Sequence, residues 1–333
     1  MLRVALIGAG MVSQHHLIAW QHCADAEVVA IADPALEHAE TRAAQFGIPA
    51  VFSDAAALLS AGGIDAVDIA APRDAHVGLV RLAAGHGLPV LCQKPLAPSL
   101  AEAEALVAEM HGRIRLMVHE NWRHRAYYRQ AAAWLAAGVI GTPLLLNLRV
   151  LTSGLLADAT GRRPSLERQP FMQTEPRMLV AEVLIHHLDT LRMLLGGLRV
   201  TAAALVRCVP DMAGEDGAAI QLAADNGAAV SVFASMAAYG APAPTVDDMD
   251  LLGSRGRIRL SAGVLTCEGN QPARIAYDLG ETYQAAYDAV IAHFVDALRH
   301  NRPFETDAEE NLATLRLVED VYRHAEGQAP NIA

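Results

Sequence analysis

The N-terminal third of the chain alternates short apolar runs with amphipathic stretches, and no other feature of the sequence constrains the fold as much. The apolar runs, which are typical of buried strands, are Arg3–Gly8, Glu27–Asp33, Ala66–Ala71, Pro89–Gln93 and Ile114–Glu120. Stretches rich in Ala and Leu at helical spacing lie between them, at Ser13–Ala24, Pro34–Phe46, Asp54–Ala61, Asp74–Gly85 and Ser99–His111. Several begin with a residue that can cap a helix, namely Ser13, Asp54, Asp74 and Ser99. Strict alternation predicts right-handed βαβ crossovers and a doubly wound parallel sheet with helices on both faces.

After Tyr128 the alternation of apolar runs and amphipathic stretches ends. A helical stretch to Ala137 stops at Gly138, a strand is predicted at Leu144–Thr152, and Ser153–Arg177 is predicted to be a long ordered excursion or a lid. The remaining predicted elements are a helix at Val180–Leu195, successive strands within Val200–Asp278, and helices at Thr282–His300 and Ala308–Ala325. We therefore predict an α/β chain of two domains, a dinucleotide-binding domain over residues 1–121 and an α+β domain with a mostly antiparallel open sheet over residues 122–333.

Composition narrows the class of protein. Hydrophobic residues make up 53% of the 333 residues and the formal net charge is −11, so packed cores are expected and a nucleic-acid partner is not. The cysteines have no CxxC spacing, which predicts free thiols in a reducing cytoplasm; they are Cys23, Cys92, Cys208 and Cys267. Arg3 interrupts the apolar N-terminus, which indicates a buried strand rather than a signal peptide, and no later run is long enough to span a membrane.

A glycine-rich turn, Gly8-Ala9-Gly10-Met11-Val12-Ser13, joins the first predicted strand to the first predicted helix. Gly8 permits a tight turn, and Gly10 lets the backbone approach a pyrophosphate at the positive end of the helix, with Met11 and Val12 beside it. Ser13 stands where a third glycine is usual and is small enough for close packing of helix on strand. The turn predicts a Rossmann dinucleotide site.

Asp33 closes the second predicted strand, where a carboxylate accepts hydrogen bonds from a ribose diol and repels the 2′-phosphate of NADP. Pro34-Ala35-Leu36 supplies no arginine to bind that phosphate, so NAD is favoured. The alternative is an ordinary βα unit in which the glycines form a turn and Asp33 caps a loop.

Cys92-Gln93-Lys94-Pro95 ends another predicted strand. A lysine at the carboxyl end of a parallel strand points into the crevice where ligands bind, and Pro95 keeps Lys94 extended. The alternative is a solvated loop lysine.

Glu182 and His186 lie four residues apart on one face of a predicted helix, and His187 and Asp189 follow them. A carboxylate beside an imidazole can orient it as a general acid or base. A surface ion pair and a metal site are alternatives, but the pair supplies too few ligands for a metal, and we predict none.

The stretch His119-Glu120-Asn121-Trp122-Arg123 follows the last predicted strand of the first domain, at the same edge of the sheet. It either lines a nicotinamide or substrate pocket or anchors the domain junction, with Trp122 in the core.

Taken together, these residues resemble the glucose–fructose oxidoreductase, inositol dehydrogenase and rhizopine catabolism (Gfo/Idh/MocA) family. The resemblance spans nearly the whole chain and is carried by Ala5-Leu6-Ile7-Gly8-Ala9-Gly10, Ala70-Ala71-Pro72 with His76, Lys94-Pro95, and the helix from Glu182 to Leu194-Leu195-Gly196. Residues 92–95, 119–123 and 183–187 are similar to one bacterial sugar-dehydrogenase branch of the family.

The resemblance implies roles for particular residues. It places Lys94 and His186 on either side of the substrate carbon, with Glu182 in the position of the family's aspartate. The implied cofactor contacts beyond the glycine turn and Asp33 are Ala71, Pro72, His76, Gln93, Lys94, Asn121 and Arg123. The implied substrate contacts are Lys94, Trp122, Arg123, Glu182 and His186. Gln93 replaces the family's glutamate and Glu182 is a methylene longer than aspartate, so the assignment of proton donor and acceptor stays open.

The resemblance further implies an NAD-dependent dehydrogenase of a sugar or polyol in carbohydrate catabolism. His186 takes the hydroxyl proton while Lys94 hydrogen-bonds the same oxygen. A redox-neutral NAD-dependent sugar-modifying enzyme and a non-catalytic NAD(H)-binding regulator are alternatives. We also expect a homodimer or homotetramer that uses the open sheet as its interface.

Overall fold

The computed structural model describes residues 1–327, which form two compact units. The first unit comprises Met1–His124 and Tyr283–Leu315, and the second comprises Arg125–Thr282 and the chain from Arg316 onward. Residues 283–315 thus lie in the first unit, whereas the sequence-based boundary assigns them to the second domain. That boundary, at residues 121 and 122, stays a prediction.

The sheet of the first unit is parallel throughout and has the strand order β3-β2-β1-β4-β5-β6. Its strands are β1 (Leu2–Ile7), β2 (Ala26–Ala32), β3 (Ala50–Phe52), β4 (Ala66–Ile69), β5 (Val90–Gln93) and β6 (Leu116–His119). Every residue of β4, β5 and β6 is buried, which is why these strands read as short, mainly apolar runs. The predicted Rossmann sheet is confirmed. The sequence analysis missed only β3, which has three residues and therefore no periodicity to detect.

Helices follow the strands in alternation, as predicted. They are α1 (Ser13–His22), α2 (Leu36–Phe46), α3 (Ala55–Ala61), α4 (Arg73–Gly85) and α5 (Leu100–Met110). Asp54 and Ser99 cap α3 and α5 through their side chains, as expected. The expectation for the other two starts was wrong: Val12 occupies the cap position of α1, and Pro72 occupies that of α4.

Residues 283–315 belong to the first unit because their apolar side chains complete its core. Helix α9 (Leu279–Arg299) packs Tyr287, Val290, Ile291 and Phe294 into one buried cluster with residues of β1, β4, β5 and β6. The next segment lies along the edge strand β6, where Val118 N donates to the carbonyl oxygen of Thr306 and Thr306 Oγ1 donates to that of Val118. An edge strand that would otherwise be open is thereby covered.

The sheet of the second unit has eight strands in the order β14-β13-β12-β11-β7-β10-β9-β8. These strands are β7 (Pro143–Leu151), β8 (Leu198–Val206), β9 (Gly217–Ala224), β10 (Ala229–Ser235), β11 (Val246–Gly253), β12 (Gly256–Ser261), β13 (Val264–Glu268) and β14 (Ala273–Ala276). Neighbouring strands are antiparallel except β7 and β10, which are parallel. The predicted mostly antiparallel open sheet is confirmed.

The remaining helices are α6 (Ala126–Ala136), α7 (Pro164–Arg168), α8 (Ile185–Leu195) and α10 (Ala308–Glu326). The segment before α8 was predicted to be part of one α-helix from Val180, but residues Leu179–Leu184 form a π-helical segment. None of the helices within residues 1–327 is long and apolar enough to cross a membrane.

The excursion over residues 153–177 forms hydrogen bonds and ion pairs with other parts of the second unit along its length. Leu155 N donates to the carbonyl oxygen of Met236, and Arg163 forms an ion pair with Asp211. At its far end Arg177 pairs with Glu319. The segment is therefore ordered, and whether it acts as a lid stays a prediction.

Candidate active site

Candidate site residues of the first unit follow five strands of its parallel sheet. Gly8, Asp33, Ala71, Lys94 and Asn121 come after the carboxyl ends of β1, β2, β4, β5 and β6 respectively. The strand order reverses between β1 and β4, and open α/β sheets bind ligands at the carboxyl ends of the strands beside such a reversal. Topology thus brings these residues to one edge of the sheet.

The glycine turn needs glycine at Gly8 for two reasons. Its φ is +102°, and a Cβ there would lie 2.7 Å from backbone atoms of Ala70 and Ala71, so the strand after the reversal leaves no room for a side chain. Gly10, by contrast, faces open space, since a Cβ at this position would meet no atom within 4 Å. The first glycine packs strand against strand, and the second leaves the backbone open to a ligand.

The N-terminus of α1 is suited to an anion. Neither a capping side chain nor an acidic residue lies in its first turn, so the positive end of the helix is not neutralised from within. Ser13 Oγ instead donates to the carbonyl oxygen of Gly10 over 2.6 Å, which fixes the turn. Gly10 and Met11 are exposed beside it. The turn therefore fits the pyrophosphate of a dinucleotide.

Asp33 is tied to the same turn. Its Oδ2 accepts the backbone N–H of Ala9 over 2.8 Å, and its Oδ1 accepts that of Ala35 over 2.9 Å. Each carboxylate oxygen has a further lone pair, so the group can accept a ribose hydroxyl as well. The contacts of the loop-cap alternative are thus present, and the ribose contact of Asp33 stays a prediction.

His76 connects two of the loops at this edge. Its Nε2 lies 2.8 Å from the carbonyl oxygen of Ala71, and its Nδ1 lies 2.8 Å from that of Pro95. Burial lowers the pKa of His76; the two carbonyl contacts oppose this shift, and the charge of Lys94 adds to it. The ring therefore clamps the loop after β4 to the loop after β5.

Lys94 follows β5 directly and is half-buried, and its peptide bond to Pro95 is cis. The backbone N–H of Lys94 donates to Gln93 Oε1 over 3.0 Å. Lys94 is also the only lysine in the chain, which has 26 basic residues in all. That signal was present in the sequence. It argues against a solvated loop lysine, because arginine serves at every other basic position.

The stretch after β6 is almost entirely buried. Arg123 forms an ion pair with Glu310 and donates to the carbonyl oxygen of Glu305, as a structural anchor would. Trp122 is half-buried and meets the ring of Tyr283 edge-on. These contacts favour the anchoring interpretation for Arg123, while the pocket-lining role of Asn121, Trp122 and Arg123 stays a prediction.

In the second unit, Glu182 and His186 stand on different kinds of helix. Glu182 is buried in the π-helical segment, and His186 is half-buried in the first turn of α8. The prediction of one regular helix was wrong here. Such π-turns occur frequently at functional sites, where they re-aim a side chain relative to an α-helix.

The π-helical segment is held by residues that the sequence analysis did not identify. The buried carboxylate of Glu215 accepts the backbone N–H groups of Met178 and Val180, over 3.3 and 3.0 Å. Tyr322 donates its hydroxyl to Glu215 over 2.7 Å and accepts the N–H of Ala181. Burial and the charge of Glu215 raise the pKa of Tyr322, so the tyrosine stays a proton donor. A distant carboxylate thus caps the turn that carries Glu182.

His187, next to His186, belongs to a separate buried network. Its Nε2 lies 2.9 Å from Asp247 Oδ1, and its Nδ1 lies 3.1 Å from the carbonyl oxygen of Val183. Tyr128 donates to the other oxygen of Asp247 over 2.9 Å. Burial raises the pKa of Tyr128, and Asp247 adds to the shift. This network accounts for His187 as a structural residue. Within residues 1–327, no group of three or more His, Cys, Asp or Glu side chains could hold a metal ion.

Comparison with known proteins agrees with this geometry. Residues 2–119 match the oxidoreductase family with an NAD-binding Rossmann fold named GFO_IDH_MocA, and residues 128–259 match the GFO/IDH/MocA C-terminal domain. The chain belongs to the GFO/IDH/MocA oxidoreductase family. It is accordingly an oxidoreductase, and its cofactor is NAD.

Relatives within the family cover nearly the whole chain. D-apiose dehydrogenase of Paraburkholderia graminis is 36% identical over 96% of this chain and 87% of its own length. Inositol 2-dehydrogenase of Streptomyces avermitilis is 31% identical over 91% of this chain and 85% of its own length. An oxidoreductase from Agrobacterium radiobacter, solved in complex with NAD+, L-tartaric acid and magnesium, is 33% identical, covers 98% of this chain and 96% of its own, and superposes with a TM-score of 0.91.

Proposed function

We propose that this family member oxidises a sugar or polyol hydroxyl with NAD, and that D-apiose, converted to its lactone, is the best specific substrate. The observation that carries the proposal is the similarity to a D-apiose dehydrogenase along 96% of the chain, at 36% identity. Inositol 2-dehydrogenases are also among the relatives, so inositols and other aldoses form the second group of candidates.

The proposed reaction removes one hydride and one proton from the substrate. Bound NAD+ supplies the hydride acceptor for the C–H bond at the oxidised carbon. His186 takes the proton of the hydroxyl on that carbon, and Glu182 orients the imidazole. Lys94 hydrogen-bonds the same oxygen as negative charge develops on it, and the C–O bond becomes the carbonyl of the lactone.

The remaining predicted contacts are part of the same proposal. The cofactor is assigned to Gly8, Gly10, Met11, Val12, Asp33, Ala71, Pro72, His76, Gln93, Lys94, Asn121 and Arg123. Support comes from the exposed Gly10, the uncapped start of α1 and the carboxylate of Asp33 at one edge of the sheet. The substrate is assigned to Lys94, Trp122, Arg123, Glu182 and His186.

A screen of NADH formation tests the function. The chain is incubated with NAD+ and a panel of D-apiose, common aldoses and inositols, with NADP+ in a parallel series. We expect NADH to accumulate with D-apiose and to exceed NADPH formation. Substrate conversion without net NADH would indicate a redox-neutral enzyme, and NADH binding without any conversion would indicate a regulator.

We further propose that the chain assembles as a homodimer or homotetramer through the open face of its eight-stranded sheet. Leu145, Phe233 and Leu252 are 53%, 51% and 39% exposed on neighbouring strands. Leu145 stands in register with Ala229 on one side and Leu252 on the other, so these three side chains form an apolar row across the sheet, and Phe233 lies four residues along the strand from Ala229. Large exposed apolar patches mark association sites. A monomer mass by light scattering at micromolar concentration would overturn this. The free cysteines support a cytoplasmic location.

A further inference from the structure

Gln93 is buried directly behind Lys94 and uses both ends of its amide. It is 8% exposed, and its Oε1 accepts the backbone N–H of Lys94. Its Nε2 lies 2.8 Å from His16 Nε2 and 3.4 Å from His119 Nδ1. Both polar ends of this buried amide are therefore satisfied, and one of them is satisfied by the backbone of Lys94.

These contacts determine the protonation of His16. A backbone N–H can only donate, so the amide oxygen of Gln93 faces Lys94 and its NH₂ group faces the histidine. That NH₂ group has no lone pair to offer, so His16 Nε2 must accept and carries no proton. The ring proton is then on Nδ1, which donates to Asp68 Oδ2 over 2.8 Å. Trp20 donates to the same oxygen over 2.7 Å.

The hydrogen bonds therefore run in one direction from Lys94 through Gln93 and His16 to Asp68. His16 and Asp68 are both fully buried, where each bond polarises the next and an unpaired donor would be costly. His16 also lies on α1, the helix that begins at the glycine turn. The chain of bonds thus joins the cofactor helix to the lysine loop.

The groups that face His16 leave one buried negative charge, that of Asp68. His119 stacks on His16 with ring centroids 4.2 Å apart, and Tyr287 meets it edge-on at 5.6 Å. Cys92 is the other neighbour of Asp68, and burial, with the charge of Asp68, raises the pKa of its thiol, which keeps it neutral. A carboxyl group in place of the Gln93 amide would add a titratable group, whose contact with His16 is satisfied when His16 takes up a proton at Nε2 or when the carboxyl group keeps its proton and donates it to Nε2.

We propose that Gln93 is a positioning residue for Lys94, and that it acts by fixing His16 as the neutral tautomer protonated on Nδ1. Its amide oxygen holds the backbone of Lys94, and its amide nitrogen prevents His16 from becoming a charged, proton-exchanging group beneath the lysine. The link to turnover rests on the function proposed above, but the tautomer and the backbone hydrogen bond do not.

Histidine NMR tests the tautomer. Full-length protein labelled with ¹⁵N-histidine is compared with Gln93→Glu, and His16→Asn assigns the signal. We expect His16 of the wild type to have a protonated Nδ1 and an unprotonated Nε2, and Gln93→Glu to shift the Nε2 signal because the amide donor is replaced. A protonated Nε2 in the wild type would overturn the proposal, as would an unchanged Nε2 signal in Gln93→Glu. If Gln93→Glu does not fold, the wild-type spectrum decides.

The backbone bond has its own test, because a chain with one lysine gives one backbone amide signal after labelling with ¹⁵N-lysine. Gln93→Met keeps the length of the side chain and removes the acceptor, so we expect the Lys94 amide to shift and to exchange faster with solvent. Gln93→Glu keeps an acceptor and should protect this amide. Gln45→Met, on the exposed face of α2, is the matched control. An unchanged Lys94 signal in Gln93→Met would contradict the proposal.

Kinetics then connect the residue to the reaction. We expect Gln93→Met to lower kcat by about tenfold to a hundredfold and to change KM for NAD less, because the amide that is lost is bonded to Lys94 and His16 and the backbone of Gln93 remains for the assigned cofactor contact. Gln93→Glu should add an ionisation to the pH profile of kcat, and combining Gln93→Glu with His16→Asn should shift that ionisation, because the carboxyl group then loses its imidazole partner. If Gln93 had a merely structural role, the shape of the pH profile of kcat would not change. An unchanged profile would therefore overturn the proposal. If no sugar is oxidised, the proposed function fails, while the two NMR tests still decide the role of Gln93.

Discussion

Lys94 and Glu182 are held in position by different kinds of contacts, which we call their supports. Lys94 follows a regular parallel strand, and its nearest support is Gln93, the residue immediately before it. Glu182 stands in a π-helical segment whose capping groups, Glu215 and Tyr322, come from distant parts of the chain. The first support follows from strand topology, whereas the second depends on a buried charge. Mutations should therefore separate the two.

The largest effect is expected at the strand support. Lys94→Met keeps the length and most of the volume of the side chain but removes the ammonium group. We expect kcat to fall by about a thousandfold, since positioned proton-transfer and electrostatic groups are worth roughly this much. NADH binding, measured by fluorescence titration, should persist, because the other residues assigned to the cofactor are unchanged. Unchanged turnover would rule out the proposed catalytic role of Lys94, and complete loss of NADH binding would leave it a cofactor residue alone.

The support of Glu182 should be sensitive to the loss of one charge. In Glu215→Gln the side chain keeps its shape but replaces one accepting oxygen with an NH₂ group. We expect the free energy of unfolding to fall by about 2 kcal/mol, because a buried donor loses a charged acceptor. We expect kcat to fall by about tenfold because the π-turn shifts. KM for NAD should not change.

Two variants sharpen this comparison. Tyr322→Phe removes the other capping group and should lower kcat in the same direction, whereas Glu268→Gln, exposed on β13, should change neither quantity. If Glu215→Gln loses stability but keeps its full kcat, the cap stabilises the fold without positioning Glu182.

A smaller effect is expected at the cofactor end of the parallel sheet. Asp33→Asn removes the charge that we propose faces the ribose, and it leaves one oxygen to accept hydrogen bonds where the carboxylate has two. We expect KM for NAD to rise by about tenfold, and the preference for NAD over NADP to narrow by a similar factor. The kcat at saturating NAD should stay unchanged. An unaltered ratio of the two cofactors in steady-state assays would exclude Asp33 as the discriminating residue.

The smallest effect concerns the His76 clamp. Burial lowers the pKa of His76 below 6.5, so below that pH the unfolded chain binds a proton that the folded chain resists. Stability is therefore lost as the pH falls below 6.5 and is unaffected by this group above it. We expect His76→Gln to show a shallower loss on acidification, by about 1 kcal/mol or less, in urea unfolding at a series of pH values.

The exposed His38 on α2 provides the control for this series. His38→Gln should follow the wild type at every pH. If His76→Gln loses stability as steeply as the wild type on acidification, another buried group accounts for the pH dependence.

The parallel sheet and its edge could be predicted from the sequence because their signals are local. Apolar runs of strand length, a glycine turn and Asp33 at the end of a strand are each read within a few residues. Ser13 shows the limit of such reading. It looks like a helix cap, but its hydroxyl donates to Gly10 one turn back, and the helix end is left open for an anion.

The parts that could not be predicted depend on partners far apart in the chain. The spacing of Glu182 and His186 fits an α-helix, and nothing within that stretch reveals that Glu215 will draw the preceding turn into a π-helix. The return of residues 283–315 to the first unit likewise depends on Phe294 and its neighbours filling a core made by other strands. In the sequence, Gln93 is a neutral residue where the family has a glutamate. Only the structure shows that its amide oxygen is bonded to Lys94 and its amide nitrogen to His16.

Isotope transfer tests the central claim most directly. D-Apiose carrying deuterium at C1 is incubated with the wild-type chain and NAD+, and the reduced cofactor and the sugar product are analysed by mass spectrometry, with Lys94→Met as the blank. We expect one deuterium in the reduced nicotinamide for each molecule of lactone formed, and labelling about a thousandfold slower with Lys94→Met. Lactone formed without labelled NADH, or labelling by Lys94→Met at the rate of the wild type, would contradict this.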